Sequence, residues 1–168
     1  MLELKYEPYE LLHKKVKDFV FEEHDVEELE KNMINIMRLN RGIGLAANQI
    51  GLDARVFVMG TDKVEGFCEP QIIINPYITG YSEEIKSDKE GCLSFPRVFL
   101  DVKRPIWIEA VYQDIKGNTI ESKIDGYLAK VFQHECDHLD GICFTDRVSK
   151  LKLDIALRKF IKGNRRTK

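Results

Sequence analysis

The run IDGYLAKVFQHECDHLDG (residues 124–141) sets the architecture expected of this 168-residue chain. Leu128, Val131, Phe132 and Leu139 recur at helical spacing, Asp125 stands where a cap would stand, and Gly141 is a stop. The run therefore reads as one helix with an apolar face toward the core. His134 and His138 lie four apart, one turn along the same face, and can bind one cation together. Glu135 follows the first histidine and is placed to handle a proton of a bound water, which completes an HExxH pattern. Cys136 lies between the histidines in sequence but about 200° around the helix from His134, so it reads as core.

A catalytic metal centre needs a third protein ligand and an open position. Metzincin proteases continue as HExxHxxGxxH; this chain matches through Gly141 but has Phe144 at the third histidine. No glutamate follows Glu135, which removes the thermolysin-type ligand. Asp146 and Asp154 remain as carboxylate candidates, and four cysteines are available. Cys143 lies past the helix stop, and Cys68 sits in a loop, GFCEP. Cys92 falls in KEGCLSFP, where a glycine before it and a proline four residues on suit a shaped backbone. Spacing favours Cys92 over a carboxylate without closing the question.

Outward from the helix, the pattern is α+β and a single domain over residues 1–168. Asp25, with Glu28 three residues on, forms a capping box before an apolar stripe of Val26, Leu29, Met33, Ile36 and Met37. Four strands are expected at 54–60, 71–76, 106–113 and 118–124, with DIKGN (114–118) as a hairpin turn. A last helix over about 147–162 carries Val148, Leu151, Ile155, Leu157 and Phe160. Net charge is −2, and no apolar run approaches the roughly 20 residues that span a bilayer. The N-terminus lacks the apolar core of a secretory signal, so a reducing, cytoplasmic compartment is expected, with cysteines that are not disulfides.

GIGLAANQIG (42–51) superficially fits a dinucleotide fingerprint, with Asp62 near the position of a ribose carboxylate. It follows a helix rather than a strand, and leaves no room for the helix such a fold requires. A backbone held close to a ligand, with Gln49 offering an amide, fits better.

GIGLAANQIG, EGCLS and QHECDHLDG, in that order, resemble peptide deformylase, the hydrolase family that removes the formyl group from nascent polypeptides. The resemblance implies antiparallel sheets wrapped around a central metal-binding helix, with an N-terminal and a C-terminal helix. It implies Cys92, His134 and His138 as ligands of one divalent metal, usually Fe²⁺, with Zn²⁺, Ni²⁺ or Co²⁺ able to substitute. It also implies Glu135 as general base and acid, and Gln49 with the Leu93 amide facing the oxyanion. Ile43 and Gly44 would pair with substrate backbone, and Val131 would lie near the methionine pocket. Asn48 stands where the family commonly has proline or threonine, and Arg97 and Phe99 fill the loop after EGCLSFP.

N-formylmethionyl peptides and nascent chains are the implied partners, with no membrane. An HExxH metallopeptidase and a non-catalytic metal-binding module are the competing functions. Glu90 and Asp137 are candidates for orienting a histidine or pairing with Arg104. Residues 147–168 hold nine basic residues and one acidic, against 17 basic and 27 acidic in the remainder. That asymmetry fits either a solvated helix or docking on a polyanion such as ribosomal RNA.

Overall fold

The structure, a computed structural model, describes residues 2–61 and 68–165, the last seven of these by backbone only. Asp62 and the side chains of Lys159, Phe160, Lys162, Arg165, Arg166 and Lys168 lie outside what it describes. The described residues form three α-helices: α1 (Val26–Leu39), α2 (Gly126–Leu139) and α3 (Lys150–Arg165). The strands are β1 (Gly44–Ala46), β2 (Val56–Met59), β3 (Gln71–Tyr81), β4 (Ile85–Cys92), β5 (Phe95–Pro105), β6 (Trp107–Gln113) and β7 (Thr119–Asp125). β1-β2-β3-β6-β7 form one antiparallel sheet in that order, and β4 and β5 form a separate hairpin.

Alternation along the central strands builds the layers, because successive side chains point to opposite faces. Phe57, Met59 and Ile73 pack toward α2 with Ala129, Phe132, Cys136 and Leu139. Val56, Val58, Ile72 and Ile74 pack toward α1 with Leu29, Met33 and Met37. All four residues of β2 are buried, so it is covered on both faces and carries no polar residue. The sheet thus lies between two helices, and the one bearing HExxH is enclosed: every residue from Val131 to Leu139 is buried. A third cluster joins Val98, Leu100 and Val102 of β5 to Phe144, with Leu153 and Ala156 of α3 against it.

Several expectations change in detail. Asp125 precedes α2, but its side chain makes no capping hydrogen bond. At α1, Asp25 Oδ1 accepts from the Glu28 amide at 3.0 Å, half of the expected box. Arg97 and Phe99 are not in a loop but on β5, part of a hairpin that the strand expectations omitted. β4 carries no strand pattern in the sequence, because half of its residues are charged and most are exposed. The final helix begins at Lys150, after a 3₁₀ turn at Phe144–Arg147. Its Leu151, Ile155 and Leu157 are exposed, and Leu153 and Ala156 face the core instead.

Phe132 is the keystone of the α2 layer: it is fully buried and meets Phe57 edge-to-face, centroids 5.1 Å apart. Phe132→Ala removes that ring and leaves a cavity, so it should cost about 3–5 kcal/mol of stability. Urea unfolding checks this, as a lowered midpoint with an unchanged slope.

Candidate metal centre

Three elements converge on one point. α2 presents His134 and His138 one turn apart, rings 5.0 Å between centroids. The end of β4 brings Cys92, whose Sγ lies 3.1 Å from His138 Nε2. One ligand atom from each of Cys92, His134 and His138 lies within 4.8 Å of the other two. One sulfur and two imidazoles form a borderline-soft set suited to a divalent transition metal. Asp154 does not join them, and Asp146 lies in a different cluster, with His13 and Cys143.

The histidines are prepared by different means. Glu90 Oε2 lies 3.0 Å from His134 Nδ1. A carboxylate only accepts, so it draws the ring proton to Nδ1 and leaves Nε2 as the lone-pair nitrogen. Burial opposes a charge on His134, yet hydrogen bonds to Cys92 and Glu90 raise its pKa to about 10. The surroundings therefore favour a positive charge at this point. Burial, reinforced by His134 and Arg104, pushes His138 well below its ordinary value, so it is neutral and able to ligate.

Behind the ligands lies a buried ion network. Arg104, 6% exposed, donates from Nε and Nη2 to Glu90 at 2.6 and 3.0 Å, and from Nη1 to Asp137 at 2.8 Å. Burial alone would raise the Glu90 pKa, but hydrogen bonds from His134 and Arg104 hold it down at about 2. Asp137 is shared with Arg147, which bonds both of its oxygens. Both pairings expected of Glu90 and Asp137 are thus present: Glu90 orients a histidine, and both carboxylates hold Arg104.

Glu135 is buried, and its Oε2 has no hydrogen-bond partner among the described residues. Burial pushes its carboxyl up to about 7. A buried, unpartnered carboxylate oxygen in the groove that Cys92 and His134 line fits a site that holds a cation and its water. A Cβ at Gly44 would overlap Glu135 Oε1, so only glycine lets β1 pass this close.

Gln49 is held at both ends: its Oε1 accepts from the Ala46 amide at 2.8 Å, and its Nε2 donates to Ser94 Oγ at 3.1 Å and lies 3.4 Å from Cys92 Sγ. Ser94 is a positioning residue that the sequence did not single out; only its place two residues after Cys92 could have marked it. Asn48 Nδ2 donates to the His138 carbonyl at 2.5 Å and to the Leu11 carbonyl at 3.2 Å, joining the N-terminal segment to α2.

A groove of about 590 Å³ opens over the site, and Ile43, Gly44, Gln49, Cys92, Leu93, Val131, His134 and Glu135 all line it. Val131 is 6% exposed and belongs equally to the core, so it is floor rather than rim. Arg97 and Phe99 line the outer wall, and a Cβ at Gly91 would meet the Phe99 ring at 2.7 Å. Of the residues expected at the site, His138 alone does not line the groove; it lies buried behind it, with its Nε2 3.1 Å from Cys92 Sγ.

Glu90→Gln keeps the size of the side chain but weakens its hold on the His134 ring. Affinity for a divalent cation should fall about 10- to 100-fold. Equilibrium dialysis against Zn²⁺ measures it, and an unchanged affinity would remove Glu90 from the support of the site.

A family model described as polypeptide deformylase matches residues 1–154. The chain is 40% identical over 161 residues to a peptide deformylase of Picosynechococcus sp., covering 96% of this chain and 84% of that protein. It is 42% identical over 144 residues to one of Rhodopseudomonas palustris, covering 84% and 82%. Among solved structures, it is similar to a peptide deformylase from Synechococcus elongatus in complex with actinonin. There the TM-score is 0.86 at 36% identity, over 94% of this chain and 85% of the other.

Proposed function

Because the chain belongs to the polypeptide deformylase family, a family of hydrolases that free N-terminal methionine of its formyl group, we propose a residue-by-residue assignment of that activity. The chain acts on nascent peptides and needs a divalent metal; the metallopeptidase and non-catalytic alternatives are not favoured. Cys92, His134 and His138 are assigned as the metal ligands, with Fe²⁺ as the resident ion. Residues 1–168 are assigned as one catalytic domain, working in the cytoplasm. No helix of the described residues is long and apolar enough to cross a membrane.

The observation that carries the assignment is Glu135 Oε2, buried without a partner among the described residues, on a side chain that lines the same groove as Cys92 and His134. A divalent cation held there would act as a Lewis acid and bring the pKa of a water toward neutrality. Glu135 would take the proton of the attacking water and later give it to the departing amine. Its carboxyl, pushed up to about 7 by burial, can both accept and return a proton near neutrality.

Charge that develops on the formyl oxygen meets the Gln49 amide and the Leu93 N–H. One such donor is worth about 3–4 kcal/mol in the transition state. Ser94 and Ala46 hold the Gln49 amide, so it need not reorganise as the charge appears. β1 is an edge of the five-stranded sheet, which suits Ile43 and Gly44 to pair with an extended peptide. Val131 closes the floor beneath the methionine side chain. Formate release from formyl-methionyl peptides, set against cleavage of unformylated peptides, is the assay that tests the activity.

Glu135→Gln should keep the metal and lose about 10²- to 10⁴-fold in turnover, because an amide cannot accept the proton. Cys92→Ser should instead lose metal, since a hydroxyl is a harder and less acidic ligand than a thiol. Metal content and formate release together separate the two outcomes.

The basic C-terminal segment is assigned to contact with ribosomal RNA, which would keep the enzyme near emerging chains. Arg147 is not available for it, being tied to Asp137. Lys150, Lys152 and Arg158 are exposed on α3. Removal of the whole helix would uncover Val98 and Phe144, so charge substitution is the cleaner probe. Lys150→Gln, Lys152→Gln and Arg158→Gln together should weaken co-sedimentation with ribosomes and flatten its salt dependence. Unchanged co-sedimentation, with peptide activity retained, would make the segment a solvated face only.

A further inference from the structure

A second group of metal-binding atoms lies outside the groove. His13, Cys143 and Asp146 each offer one ligand atom, and these lie within 4.8 Å of one another. None of the three lines the groove or takes part in the chemistry above. We propose that His13, Cys143 and Asp146 form a second site for a zinc-type divalent cation, pinning the N-terminal segment to the segment that follows α2.

Each side chain is already oriented as a ligand. Glu7 Oε2 lies 2.8 Å from His13 Nε2, and an acceptor there draws the ring proton to Nε2. The lone pair of His13 is then on Nδ1, which lies 3.9 Å from Cys143 Sγ. A sulfur and a nitrogen on one tetrahedral zinc are about 3.6 Å apart, so a shift of a few tenths of an ångström suffices. This repeats the arrangement at His134, where a glutamate fixes one ring nitrogen and the other faces the metal site. Asp146 Oδ2 accepts from the Cys143 amide at 2.8 Å, which holds the carboxylate against the cysteine and leaves Oδ1 to ligate.

The backbone beneath is fixed as well. Residues 13–16 run beside residues 139–141: Lys15 bridges Asp140, and the Val16 amide donates to the Leu139 carbonyl at 2.9 Å. Gly141 has φ +73°, and a Cβ there would lie 2.6 Å from the Lys14 carbonyl carbon. Only glycine allows the two segments this approach, and it is what brings His13 to Cys143. Three donors of mixed softness, with the fourth position open to solvent at the exposed His13 and Asp146, suit zinc rather than calcium or magnesium. On binding, the Cys143 S–H proton leaves to solvent and the sulfur bonds the cation.

The test uses the holoenzyme with its resident site filled by Ni²⁺. Titration with Zn²⁺ should reveal one further equivalent per chain. Co²⁺ at the same step should give a sulfur-to-metal charge-transfer band. Cys143→Ala should abolish the band and the second equivalent, while formate release at the resident centre stays at the parent rate. His13→Gln, at an exposed position, keeps the test alive should Cys143→Ala fold poorly, and should weaken the second equivalent at least tenfold. Added Zn²⁺ should raise the thermal midpoint of the parent and not of either variant. A stoichiometry that stays at the resident ion alone overturns the proposal. So does a second equivalent that survives in His13→Gln at parent affinity.

Discussion

Arg104 is a charge at the fourth inward position of a strand whose other inward positions are Val98, Leu100 and Val102. Burying a guanidinium there is costly, and the cost is offset only because Glu90 and Asp137 meet it with three hydrogen bonds. Those carboxylates come from β4 and α2, so the network locks the strand that ends in Cys92 to the helix that carries both histidines. Arg147 extends it to the chain beyond α2. Without it, the sulfur and the imidazoles would depend on separate elements with no polar tie behind them.

The chemistry sits where local rules are broken. Among the described residues, Glu135 Oε2, His138 Nδ1 and Asn48 Oδ1 are the buried side-chain nitrogen and oxygen atoms without a hydrogen-bond partner. Glu135 lies on the enclosed stretch of α2, and β1 passes close to it because Gly44 has no Cβ. Such local conflicts are expected at functional sites, with support supplied elsewhere. Here the support is Gln49 locked by Ser94 and Ala46, and His134 locked by Glu90.

The helix of HExxH was legible because its apolar spacing and its ligand spacing are both local. The apolar, β-branched runs that form β2 and the start of β3 were legible for the same reason. The hairpin of β4 and β5 was not: IKSDKEGC carries too few apolar residues to announce a strand, and its partner is what makes it one. Cys92 could be favoured but not chosen from spacing, since its approach to His138 spans 46 residues and depends on that hairpin. Ser94 and the link from Asn48 to the His138 carbonyl have no sequence signature, because each is a contact between distant segments. Leu151, Ile155 and Leu157 looked like a core stripe, yet α3 turns Leu153 and Ala156 inward.

The central claim is that one buried ion network serves both the fold and the metal. Arg104→Met tests it in a single variant, by unfolding free energy and by divalent-cation affinity measured on the same sample. Leaving Glu90 and Asp137 buried with no guanidinium should cost about 3–5 kcal/mol. Cation affinity should fall alongside, by about 10- to 100-fold, as the Glu90 carboxylate that orients His134 loses the guanidinium that fixes it. Lost stability with parent cation affinity would contradict the account, by showing that the ligands are held in place without the network.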